Sequence, residues 1–250
     1  MPVRSNRCTP LCLLLLALLG LLSTGPAFTG TSQFQPAARS SRMPMAAAKK
    51  VFLFNGHAAW PFAKGELNKS MLKLAKEHFE SLGCEIKETA IDSLGEDYDM
   101  DAEVEKFQWA DFVFFQTPAY WFGVPWQFKK YIDEVYTAGL DGRMTKNDGR
   151  SSKSPQDNYG TGGTLNGRYM LSVTANAPKG AFRKGEYLYD GMSEDEAWVS
   201  FHLLNRFCNL QQVPDSTFTC YDVMKNPDVE NDFKKFKAHM QKLFPNADAI

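Results

Sequence analysis

The residues with most to offer a ligand lie at 117–126, where the chain reads Thr-Pro-Ala-Tyr-Trp-Phe-Gly-Val-Pro-Trp. Tyr120, Trp121 and Phe122 follow one another directly, between Pro118 and Pro125. Proline fixes its own φ, so the rings sit on a stiffened turn that loses little freedom when it binds. The chemistry they suit is stacking against a flat aromatic ligand, with capping of the hydrophobic core as the alternative. Connecting segments run over the protein surface, and so much aromatic surface there favours the ligand.

What precedes and follows this turn gives it a place. Residues 111–117 form an apolar, aromatic run of strand length, and Phe128, Tyr131, Ile132 and Val135 repeat with a helical period over residues 126–137. The aromatic turn therefore joins the end of a strand to the start of a helix, the edge where open α/β sheets bind ligands. Similar patterns predict strands at 51–56, 85–91, 169–174 and 216–221. Helices are expected at 65–82, 102–110, 195–210 and 228–243. Five strands alternating with helices predict a parallel sheet covered on both faces. Residues 140–167 form a long polar, glycine-rich stretch, of a length that is usually functional or disordered.

A second candidate lies after the first strand. Gly65 opens a helix whose first residues are Glu66, Leu67, Asn68, Lys69 and Ser70. Free N–H groups and the helix dipole favour an anion there, and Lys64, Asn68 and Ser70 can add donors. The pattern is neither GxGxxG nor a P-loop, and a helix start with no ligand fits it equally. His57 reads as a loop residue. Trp109 and His202 read as packing residues, and the lysines of the last helix as a solvated face.

Composition excludes other classes. No CxxC pair occurs among Cys8, Cys12, Cys84, Cys208 and Cys220, which argues against a metal site or a disulfide framework. Arg4, Arg7, Arg39 and Arg42 are the only charged residues before Lys49. Without those four, 24 basic groups face 29 acidic ones, and no basic stripe invites nucleic acid. Residues 1–27 combine a basic start, an apolar run too short for a bilayer and a small-residue site, the pattern of a signal peptide. Residues 28–48 are acid-free and rich in Ser, Thr and Arg, the pattern of a transit peptide. Together they resemble the bipartite leaders that send proteins into complex plastids, with plain secretion as the alternative.

The islands Asn55-Gly56, Gly65-x-Leu67-Asn68, Trp109-Ala110-Asp111, Trp121-x-Gly123-x-Pro125-Trp126, Lys129 to Asp133, Tyr159-Gly160-x-Gly162-Gly163 and Asn176-Ala177-Pro178 stand in one order over residues 50–245. In these the chain resembles the flavodoxin-like NAD(P)H:quinone oxidoreductases, most closely the modulator of drug activity B family. The resemblance implies a five-stranded doubly wound sheet of order 2-1-3-4-5, FAD as cofactor, NADPH and quinones as substrates, and a homodimer. It places the FAD phosphates against Ala63, Lys64, Gly65, Glu66, Leu67, Asn68, Lys69 and Ser70. The flavin ring falls against Ala119, Tyr120, Trp121 and Phe122 and against Thr174, Ala175, Asn176 and Ala177. Tyr159 adds a contact, and residues 140–167, anchored by Tyr159, form a cover over the flavin near a dimer interface. The chain departs from the family pattern at Ala63-Lys64, Ala119-Tyr120 and Ala175. A flavodoxin-type electron carrier and a flavin-binding regulatory protein are the other functions weighed. Carriers are generally more acidic than this chain and lack a long covering segment.

Overall fold

The computed structural model describes residues 50–250; the expectations for the leader, residues 1–48, lie outside the described residues. The core strands are β1 (Lys50–Asn55), β3 (Phe112–Pro118) and β4 (Arg168–Thr174), and beyond their first residues all are buried. Strands buried on both faces read as continuous apolar runs, which is why 51–54 and 112–115 show no polar alternation. Their side chains still alternate by face. Val51, Leu53, Phe112, Phe114 and Met170 pack with Met71, Phe79, Phe236 and Met240. Phe52, Phe54, Val113, Phe115 and Leu171 pack with Phe107, Phe128, Tyr131 and Phe201 on the other side.

Helices α1 (Glu66–Ser81) and α6 (Val229–Leu243) cover the first face; α2 (Met100–Trp109), α3 (Trp126–Tyr131) and α5 (Val199–Phe207) cover the second. Met71, Ala75 and Phe79 recur every fourth residue along α1 and form its buried stripe. The Asp99 carboxylate caps α2 by accepting the N–H groups of Asp101 and Ala102.

The sheet runs β2-β1-β3-β4-β5 with every pairing parallel, the order implied by the resemblance. Its outer strand β2 (Glu85–Ala90) is mostly exposed, which accounts for its polar sequence. The fifth position is shared by two short strands, β5 (Gln211–Gln212) against the start of β4 and β6 (Phe218–Cys220) against its end.

Three expectations are corrected. The helix expected over 195–210 is broken at Trp198 into α4 (Glu194–Ala197) and α5, with α4 held by a Ser193/Glu196 capping box. The helix over 126–137 changes after Tyr131 to a π-helical turn, Ile132–Tyr136, of the kind that recurs at functional sites. Residues 140–167 do not cover the cleft of this chain. Met144 and Leu165 anchor them in the main core, and the Leu165 N–H donates to the Cys208 carbonyl at the end of α5.

Candidate functional site

The carboxyl ends of β1, β3 and β4 open into one large cleft, with a volume of about 1490 Å³. Pockets for small molecules are typically ~300–1,000 Å³, so this one has room for a large cofactor together with a substrate. The strand ends are tied by a buried polar set: Asn68 donates to Thr174 Oγ1 (3.0 Å) and accepts from Gln116 Nε2 (2.8 Å). Asn68 thus fixes the first turn of α1 to the ends of β3 and β4, a role its place in the helix start did not announce.

Beyond β1, Gly56 lets α3 approach; a Cβ there would lie 2.3 Å from the Phe128 ring. His57 follows, 1% exposed, and its Nδ1 lies 2.6 Å from Asp92 Oδ2. His57 lies in the loop after β1, as expected, but buried in the cleft wall, with its Nε2 buried and without a hydrogen-bond partner. Trp60 and Ala63 exchange backbone hydrogen bonds around Pro61 and Phe62, and Gly65 then enters α1 at φ 75°. No side chain caps α1, which leaves its leading amides free for an anion. Lys64, Gly65, Glu66, Leu67 and Asn68 line the cleft with Ala63, whereas Lys69, which pairs with Glu66 at 3.1 Å, and Ser70 do not.

Across the cleft, Tyr120 and Gly123 close a two-residue turn by mutual backbone hydrogen bonds. Its central residues, Trp121 and Phe122, have φ of 49° and 67°. Such primed turns favour Gly, Asn and Asp, and bulky side chains in this region are strained. Strain of this sort clusters at ligand clamps. It holds Trp121 94% exposed at the cleft mouth, while Phe122 faces Tyr189 instead of the cleft. Tyr120 donates its hydroxyl to the Ala58 carbonyl at 3.0 Å; burial, and then the Asp92 charge, push its phenol up, so it stays a donor. At β4, Thr174 and Asn176 line the cleft. Ala175 is buried with its N–H on the Cys220 carbonyl, and Ala177 accepts from the Asp222 N–H. Tyr159 lies outside the cleft of this chain, against Phe207 and Arg150.

Sequence reasoning missed part of the wall. Trp126, Lys129, Lys130, Asp133 and Glu134 extend the cleft along α3 and the π-helical turn, and Val223 and Met224 close it after β6. The helical spacing of 126–134 carried that signal, but it was read for its buried face alone. Among the described residues no cluster of side chains is arranged to hold a metal ion, and no helix is long and apolar enough to cross a membrane.

The donor set fits a phosphate-bearing flavin. Uncapped amides at the α1 entry and an exposed aromatic ring line the same cleft. Residues 49–244 match the family described as the flavodoxin-like fold. NADPH:quinone oxidoreductase MdaB of Haemophilus influenzae is 44% identical over 195 residues, which span 78% of this chain and 98% of that protein. A candidate quinone reductase from Klebsiella pneumoniae superposes with a TM-score of 0.63 at 22% identity, over 80% of this chain and 86% of the other. General stress protein 14 of Treponema denticola, solved with FMN, superposes with a TM-score of 0.52 at 20% identity, over 78% and 98%. At such identities the two structures speak for the fold alone. The chain belongs to the flavodoxin-like fold family and, within it, to the MdaB type of quinone oxidoreductase.

Proposed function

We propose that the chain reduces quinones by two electrons at the expense of NADPH, with FAD as the bound flavin. The observation that carries this is the pairing, in one cleft at the strand ends, of an uncapped helix start with a strained aromatic turn. The bound flavin supplies the hydride chemistry. The chain's own residues would hold and orient it: the amides from Gly65 onward could take the phosphates, and the end of β4 would offer Thr174 and Asn176. Trp121, exposed where it lines the cleft, would offer the stacking surface for nicotinamide and quinone in turn. A dinucleotide is preferred to FMN in this reading because a cleft of about 1490 Å³ leaves room for one.

The test is to isolate the protein, release its flavin and identify it by chromatography, then follow NADPH oxidation with soluble quinones. Parallel double-reciprocal plots are expected; intersecting ones would show both substrates bound together. Bound flavin without NADPH turnover would return the protein to the carrier or regulatory class. The homodimer expectation belongs here too. Tyr187, Leu188 and Met192, close in sequence, are each exposed; large exposed apolar patches mark association surfaces, and sedimentation should show a dimer. Delivery to a plastid remains a proposal from residues 1–48, and imaging a tagged full-length chain elsewhere would overturn it.

A further inference from the structure

A second aromatic turn faces the cleft, and the function proposed above leaves it unused. We propose that Trp60 and Phe62 form the purine platform of the cofactor site, the surface on which the adenine ring of FAD stacks. The inference rests on the flavin reading above and assigns to these two residues the choice between a dinucleotide flavin and a mononucleotide.

Trp60 and Phe62 both line the cleft, 44% and 77% exposed. Their rings lie nearly parallel, with centroids 6.4 Å apart and an interplanar angle of 13°. The backbone holds them there: the Trp60 N–H donates to the Ala63 carbonyl at 2.9 Å, and the Ala63 N–H donates back at 3.1 Å. Pro61, between the two rings, fixes its own φ. Neither ring joins the hydrophobic core on either face of the sheet. Large apolar side chains kept out of the core, side by side in a concave wall, mark a ligand groove.

The turn's place in the chain says which ring it takes. Phe62 stands three residues before Gly65. A chain extends by at most ~3.6 Å per residue, so the Phe62 backbone lies within roughly 11 Å of the uncapped α1 entry. A base joined through a ribose to a phosphate at that entry can reach the platform. Charge agrees with this. Residues 58–63 read Ala-Ala-Trp-Pro-Phe-Ala and carry none, whereas Lys64 beside them does. An uncharged flat surface next to a cation and free amides matches an uncharged purine next to its phosphate. Aromatic side chains stack on bases through their π faces. The isoalloxazine ring has a wall of its own in Trp121, on the turn after β3.

FMN shares the flavin ring and lacks the adenosine, so the two cofactors together isolate the platform. The full chain, stripped of flavin, is titrated with FAD and with FMN at one pH by flavin fluorescence. Wild type is compared with Trp60→Ala, Phe62→Ala and the double variant. Wild type is expected to bind FAD more tightly than FMN. The double variant should lose roughly tenfold of that preference, about 1.4 kcal/mol, a change of the size that stacked bases show. The loss should come from a weaker FAD Kd, with the FMN Kd unchanged. Phe62→Tyr, which keeps a ring, should keep the preference. An FMN Kd that rises as much as the FAD Kd would show that the turn supports the fold or the flavin ring, and overturns the platform. An unchanged FAD preference in the double variant overturns it too, as does a double variant that spares FAD and weakens only NADP+ binding to the loaded protein. If Trp60→Ala fails to fold by circular dichroism, Phe62→Ala decides, since its ring is the more exposed. No uptake of either flavin by wild type would sink the flavin reading and the platform together, whereas uptake of both with equal affinity sinks the platform alone.

Discussion

Gly65→Ala and Gly83→Ala place the same methyl group on nearly the same backbone and should differ sharply in cost. Gly65 has φ 75° and Gly83 has φ 77°, so both changes carry the left-handed penalty of ~1–2 kcal/mol. At Gly83 a Cβ meets nothing within 4 Å, and the penalty ends there. At Gly65 it meets Nδ1, Cε1 and Cγ of His57 at 2.4, 2.5 and 2.7 Å. The ring cannot swing aside freely, because it is 1% exposed and held by Asp92. Expelling it forfeits a charge-assisted hydrogen bond, worth roughly 1.5–3 kcal/mol. Gly65→Ala should therefore be less stable than Gly83→Ala by about that amount, or roughly 3–12 °C in Tm at ~2–4 °C per kcal/mol. Thermal unfolding of the two variants, repeated in a His57→Ala background, isolates the coupling. Equal Tm values, or an excess cost that survives removal of His57, would refute the packing of the ring beneath the α1 entry.

Trp121→Asn should raise stability and impair function together. Asn suits the positive φ that costs Trp about 1 kcal/mol, and an almost fully exposed ring gives up little burial, so Tm should rise by roughly 2–4 °C. Flavin retention or quinone turnover should fall; a loss of stability would contradict the strain. Asp195 should show its contribution in acid. Its carboxyl is held at about 2, chiefly by His202, whose Nε2 forms a 3.4 Å ion pair with it, and then by Thr217 and Gln212. A depressed carboxylate stabilises above its unfolded pKa of ~3.9. That contribution should fade as pH falls from there through about 2, and acid denaturation of Asp195→Asn should lack this component. Cys208 and Cys220 are pushed up to about 12 by burial. Iodoacetamide at mildly alkaline pH should leave both unmodified in the native protein and label both in urea, as mass spectrometry would show.

The fold was legible where burial on both sheet faces forced long apolar runs. Residues 51–54, 112–115 and 169–173 could be little but central strands, and Met71, Ala75 and Phe79 little but a helix stripe. What stayed hidden depended on partners distant in the chain. The break at Trp198 lies inside a stretch of good helical periodicity, and its cause is tertiary: Trp198 packs edge-on against Phe201 in the core. The fifth strand is split because β4 is paired at its two ends by separate short segments, with Val213 buried between them. The break at Trp198 leaves no mark on local composition, whereas the split strand is marked by Pro214 and Asp215 between its two parts.

At the site the same division falls between backbone and side chain. The aromatic turn and the start of α1 were visible because proline, glycine and aromatic spacing are local signals, and both now line one cleft. Asn68, Gln116 and Thr174 were not visible as a unit, since 48 and 106 residues separate the bonded pairs. Their value follows from position. Asn68 lies in the first turn of α1, Gln116 near the end of β3 and Thr174 at the end of β4, so joining them ties three elements together at the ligand edge of the sheet before any ligand arrives. His57 is the sharper case: 35 residues of sequence separate it from Asp92, and only their contact turns a loop histidine into a buried donor. An imidazole held by its carboxylate has little side-chain freedom left to lose, so the wall it forms is set in advance of any ligand. The buried, unsatisfied nitrogen is a standing cost to the empty protein. The Nδ1 bond to Asp92 holds the ring against that cost, so the pair fixes the wall beneath the α1 entry whether or not a ligand is bound.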